Sequence, residues 1–133
     1  MIIDDPAVKA EVERVFAAYE AALVSNDVAT LERLFHDDSR TIRYGAAENL
    51  YGMEAIRAFR RARPAQGLAR DLARTVITTF GRDHAVAMTL FRREAAPGRI
   101  GRQSQTWVRF PDGWKVVAAH VSVIDGDEEG GGA

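Results

Sequence analysis

Val8, Val12, Val15, Phe16, Tyr19 and Leu23 recur at three- and four-residue steps, the spacing that predicts a helix with one apolar stripe. Asp5 and Pro6 precede the run, an N-cap acceptor followed by the residue favoured at the first helical position. "SND" at 25–27 breaks the pattern, and Asp27 can cap a second, short helix with Val28, Leu31, Leu34 and Phe35 on one side. After the polar "HDDS", the segment "RTIRYG" reads as a short extended stretch and "AAENLYG" as a turn region. A third helix is predicted from Met53 to Arg63, stopped by Pro64. The remainder is strand-like. "ARTVITTF", "HAVAMTLFRRE", "GRQSQTWVRF" and "GWKVVAAHVSVI" are separated by "GRD", "AAPG" and "PDG", all turn-forming compositions.

The predicted order is therefore helix, helix, strand, helix and four consecutive strands. Strands joined by such short turns must be antiparallel neighbours, because a parallel pair needs a long crossover. Three helices then cover one face of a curved, mostly antiparallel sheet, an α+β cone whose interior can hold a cavity. A single domain over residues 1–124 is expected, followed by an acidic, glycine-rich tail at 125–133 with the composition of disordered segments.

Composition narrows the chemistry. The 133 residues suffice for one core, and 47% are hydrophobic, yet no apolar run approaches the roughly 20 residues of a membrane helix. The acidic N-terminus "MIIDDPAVKA" does not resemble a signal peptide, so a cytoplasmic location is expected, with no membrane partner. A net charge of −1 provides no concentrated basic face for nucleic acid. With no cysteine, disulfides, thiolate metal sites and a thiol nucleophile are excluded. Three histidines without HxxxH or HxH spacing give no metal signature, and neither a P-loop nor a nucleophile elbow is present. No cofactor is implied. His36, His84 and the Asp37/Asp38 pair read as surface residues.

Polar residues on the last two strands need another explanation. Alternation separates Gln103, Gln105 and Trp107 from Ser104, Thr106 and Val108, and sets Trp114, Ala118, His120 and Ser122 opposite Val117, Ala119, Val121 and Val123. Only one set per strand can face a cavity. His120 alone reads equally as a hydrogen-bonded core or interface histidine. Arg43, between Ile42 and Tyr44, points either to solvent or into the cavity, where it would need an acid such as Glu48 or an anionic ligand. Tyr19, on the apolar stripe, is by itself a core aromatic whose hydroxyl needs a partner. Most of the arginines on helix 3 suit a solvated face, but Arg60 and Arg63 share the side of Ile56 and Phe59 and can border a cavity mouth.

The element order and the strand pair "GRQSQTWVRFPDGWKVVAAHVS" resemble SnoaL-like members of the nuclear transport factor 2-like superfamily. More narrowly, "YEAALVSNDVATLERLF", "RTIRYGAAENLYG", "FRRARP" and "GRQSQTWVR" with "GWKVVAAHVS" resemble the AtzH-like family, over roughly residues 5–124. That resemblance implies a small amidohydrolase without a cofactor. Its substrate would be a carboxylated urea, 1,3-dicarboxyurea, converted to urea-1-carboxylate (allophanate) in cyanuric acid catabolism, and its gene would lie beside that of an amidase-signature amidase. The family's tyrosine on the first helix and arginine in the "RYG" segment fall on Tyr19 and Arg43. Tyr19 is then expected to act as general acid and Arg43 to clamp a substrate carboxylate. Glu48, Arg63, Ser104, Gln105, Trp107, His120 and Ser122 are expected to line the substrate site. A homodimer formed through the sheet is expected on the same resemblance. The alternative is a non-catalytic ligand-binding or dimerisation module that assists a partner amidase.

Overall fold

The structure is a computed structural model and describes residues 1–126. Its elements run α1 (Pro6–Val24), α2 (Val28–Arg33), β1 (Ile42–Tyr44), β2 (Asn49–Tyr51), α3 (Met53–Ala62), β3 (Asp71–Phe80), β4 (His84–Arg92), β5 (Arg99–Phe110) and β6 (Gly113–Asp125). The Asp5 carboxylate accepts from the amides of Ala7 and Val8 and starts α1; Asp27 accepts from Thr30 and starts α2. Pro64 follows the extended Arg63, which ends α3.

The strands form one six-stranded sheet in the order β2-β1-β6-β5-β4-β3. All neighbours are antiparallel except β1 and β6. Those two are far apart in sequence, which leaves the chain length a parallel pairing needs. The sheet has one strand more than the sequence predicts. Asn49–Tyr51, inside the expected turn region, pairs with β1, and three residues are too few to display a period of two. At the other end β6 reaches Asp125 rather than stopping at residue 124. From residue 127 on, the expected acidic tail lies outside the described residues.

The three helices pack on one face of this curved sheet. Val12, Phe16 and Tyr19 of α1, Leu31 of α2 and Met53 and Ile56 of α3 share one core with Ile77, Ala85, Ala87, Trp107, Trp114 and Val116 from the strands. Burying a side chain of this kind stabilises by about 1.5–3 kcal/mol. Trp107 and Val116 are fully enclosed.

Which strand residues face this core depends on one irregularity. Thr106 pairs with Ala118, but Trp107 pairs with Val116, so Val117 is an extra residue in β6. A bulge of this kind reverses the parity of everything beyond it. Trp114 and Val116 face the core before it, and Ala119 faces the core after it. Strict alternation, which groups Trp114 with His120 and Ser122, therefore fails in β6.

Candidate active site

Arg43 stands opposite Ala119 in the β1–β6 ladder, and its neighbour Tyr44 stands opposite His120. Ala119 is buried and His120 exposed, so Arg43 enters the interior while Tyr44 stays outside. The tight connection from β1 to β2, closed by a 2.8 Å bond from the Gly45 amide to the Glu48 carbonyl, brings Glu48 back over Arg43. Arg43 Nη1 donates to Glu48 Oε2 at 2.8 Å, with the Arg43 side chain only 11% exposed. A Cβ on Gly45 would lie 1.6 Å from that carboxylate oxygen. Glycine there is what allows the pair to form.

Tyr19 lies at the centre of the interior. Its ring meets Trp107 edge-on at 6.4 Å and Phe35 at 6.1 Å. Its hydroxyl accepts from Arg60 Nη2 at 3.4 Å, a long bond. Burial pushes the phenol's pKa up, but the charges of Arg60, Arg43 and Arg70 and the Arg60 hydrogen bond outweigh it and bring the value down to about 8. Tyr19 is thus a phenol of unusual acidity, enclosed and ringed by guanidiniums.

Three further arginines surround it. Arg60 is 1% exposed, 4.5 Å from the Phe35 ring; among the described residues its Nε and Nη1 have no hydrogen-bond partner. Arg63, at the end of α3, flanks the Phe59 ring on which Arg43 also stacks, at 6.0 Å and 5.5 Å. Its Nε and Nη2 are likewise buried without partners among the described residues. Burial first, then the charges of Arg60 and Arg43, lower its pKa to about 10. Arg70 is held differently. It makes a two-pronged contact with Glu20 at 2.9 and 2.6 Å and donates to Gln103 Oε1 at 3.0 Å.

The β5 residues complete the lining. Trp107 Nε1 donates to Gln105 Oε1 at 3.1 Å, which fixes the amide and leaves its Nε2 as a buried donor without an acceptor. The Gln103 amide nitrogen is in the same condition. The interior therefore offers many N–H donors and few acceptors. It suits an anion with a polar body. Among the described residues, no three histidine, aspartate or glutamate side chains gather as a metal-ligand set.

Of the residues expected to line the site, Tyr19, Arg43, Glu48, Arg63, Gln105 and Trp107 belong to this interior group. Ser104, His120 and Ser122 do not. Ser104 and His120 pair with each other on the outward face, and Ser122 accepts from Arg102 there. The bulge at Val117 and the inward setting of Gln105 put them on that side. They border an open groove of about 670 Å³ with Met88 and Ile124. Among the described residues, the buried guanidinium atoms of Arg60 and Arg63 that lack a hydrogen-bond partner lie in the interior and do not line that groove.

Arg70 is missing from the sequence-based site, whereas the sequence offers Arg60 only at a cavity mouth and Gln103 only on one of two alternative faces of its strand. Arg60 had a signal, since it follows Ile56 by four residues on the buried side of α3. Arg70 precedes β3 in a segment without periodicity, and nothing in the sequence marks it.

The match to the AtzH-like family spans residues 1–127. The chain belongs to the AtzH-like family. Solved structures agree with this assignment. A protein of unknown function from Pectobacterium atrosepticum is 56% identical, covering 92% of this chain and 95% of its own, with a TM-score of 0.90. A cystatin-like fold protein from Burkholderia xenovorans is 48% identical over 94% and 98% of the two chains, also at 0.90. An NTF2-like protein of unknown function from Pseudomonas putida, 21% identical over 92% and 90% with a TM-score of 0.74, shares the fold. No curated protein matches the chain. The AtzH-like chain thus has the NTF2-like, cystatin-like fold, with helices on a six-stranded mixed sheet. No helix among the described residues is long and apolar enough to cross a membrane.

Proposed function

We propose that this AtzH-like protein is a small amidohydrolase, independent of any cofactor, that removes one carboxylate from 1,3-dicarboxyurea and releases allophanate and carbon dioxide. The observation that carries the proposal is the enclosed Tyr19 hydroxyl beside Arg60 and within the field of Arg43 and Arg70. An N-carboxylate loses carbon dioxide once its nitrogen is protonated. Tyr19 supplies that proton to the departing nitrogen. The C–N bond breaks with its electron pair moving to nitrogen, carbon dioxide leaves, and the phenolate regains a proton from water. The surrounding guanidiniums stabilise the phenolate formed in that step.

Arg43, already held by Glu48, clamps the carboxylate that reacts, while Arg63 and Gln105 contact the remaining polar atoms. The proposal includes a homodimer formed through the outward sheet face. There Val76, Met88 and Ile124 are 59%, 53% and 41% exposed, and apolar side chains of that size favour a covered surface. It also includes a functional association with an amidase that makes the substrate.

The test generates 1,3-dicarboxyurea in situ with such an amidase and follows allophanate. Acceleration over spontaneous decay, with carbon dioxide as the first carbon product, supports the proposal. Bicarbonate as first product or a trapped acyl-enzyme contradicts the mechanism. No acceleration leaves the AtzH-like chain as a binding module.

A further inference from the structure

Arg43 and Arg60 both act on Tyr19, but their own surroundings differ. Arg43 has a carboxylate, Glu48, at 2.8 Å. Arg60 is more deeply enclosed, at 1% exposure, and among the described residues its one polar contact is the Tyr19 hydroxyl at 3.4 Å. Two of its nitrogens have no hydrogen-bond partner among the described residues. The aromatic faces of Phe35 and Tyr19, at 4.5 and 5.7 Å, offset part of its charge. Cation–π contacts of that kind do not replace a counter-ion for a guanidinium withdrawn from water.

Tyr19 also touches Trp107, and Trp107 orients Gln105 so that its amide nitrogen is a second enclosed, unused donor. Near one phenol there are thus a guanidinium with two N–H-bearing nitrogens and an amide nitrogen, all buried and without an acceptor among the described residues. Such groups persist in a folded core where a ligand completes them.

We propose that Arg60, with the Gln105 amide, forms a second carboxylate subsite, distinct from the Arg43–Glu48 pair, which makes the site selective for dianions over monoanions. The inference rests on the proposed dicarboxylate substrate and adds the residue that recognises its second charge. A monocarboxylate would satisfy Arg43 or Arg60 but not both. A dicarboxylate can meet each with one of its end groups.

Isothermal titration calorimetry with malonate and acetate as probes tests this without turnover. The wild type is expected to bind malonate about tenfold or more tighter than acetate, the effect of one added charge-assisted contact. In Arg60→Met that preference disappears, as malonate affinity falls to that of acetate. In Arg60→Lys, which keeps the charge but loses the fork, malonate affinity falls by about threefold or more. Gln105→Glu, which keeps the acceptor for Trp107 but places a carboxylate in the subsite, abolishes the preference. Equal binding of the two probes by the wild type, or an unchanged preference in a folded Arg60→Met or Arg60→Lys protein, overturns the assignment. The two proposals fail separately. Malonate preference lost on Arg60 replacement, in a protein that does not turn over dicarboxyurea, sinks the enzymatic proposal and keeps the subsite. Equal malonate and acetate binding by a wild-type protein that does turn over dicarboxyurea sinks the subsite alone.

Discussion

Arg60 Nη2 reaches the Tyr19 hydroxyl at 3.4 Å from a position only 1% exposed to solvent. Helix α3 delivers the arginine and helix α1 the tyrosine, so the pair exists only once both helices are seated on the sheet. The contact couples packing to chemistry: the side chain that fills the space over Phe35 also stabilises negative charge on the phenol.

Replacing that arginine exposes the conflict between stability and function. Arg60→Met keeps the volume and removes a guanidinium without a carboxylate partner, so the protein is expected to gain about 1–4 kcal/mol, as when buried charges give way to apolar residues. Thermal and urea unfolding read the gain. A loss of stability would show that Arg60 is compensated within the fold.

Gly45 offers a separate handle on Arg43. A methyl group there collides with the end of the flexible Glu48 side chain, not with backbone. Gly45→Ala is therefore expected to fold, costing about 1 kcal/mol or less, while Glu48 swings away from Arg43. A rise in KM of about tenfold is the expected cost of a misplaced clamp. Wild-type kinetics in the folded variant would show that the pair does not position Arg43.

Gly101 is a matter of stability alone. It pairs with Phe91 across β4 and β5, and a Cβ would fall 2.0 Å from the Phe91 ring. That ring in turn carries Arg70 at 4.4 Å and Arg93 at 5.1 Å. Gly101→Ala is expected to destabilise by about 1–3 kcal/mol through overpacking, measured by denaturant titration.

On the outward face, Met88→Glu places a charge among Met88, Ile124 and His120 beside the groove. The expected outcome by light scattering is dissociation of a dimer with no change in the fold. An unaltered oligomeric state would place the contact elsewhere.

The helices and long strands are legible in the sequence because each carries many periods of its pattern. Asp5 and Asp27 cap as their positions predict. Two features are hidden for physical reasons. Strand β2 is three residues long and owes its existence to pairing with β1. The bulge at Val117 has no local signal, yet it decides that Ala119 faces inward and His120 outward. Polar residues on adjacent strands therefore looked like one lining and are two. Tyr19 shows the converse limit: its place on an apolar stripe predicts burial, while its acidity comes from arginines on α3, β1 and the segment before β3, contacts that only the folded chain assembles.

The most direct test is the pH dependence of kcat/KM for dicarboxyurea, since that ratio titrates the free enzyme. Tyr19 as general acid predicts an alkaline limb near pH 8, the value set by its arginines, with Tyr19→Phe slower by about 100-fold or more. The same shift predicts that stability gained from the ionised phenol, at most about 3 kcal/mol, is full above pH 10 and lost as pH falls through about 8. A limb near pH 8 that vanishes with the Tyr19 hydroxyl is the predicted result; a limb that persists in Tyr19→Phe, or turnover undiminished by that change, contradicts it.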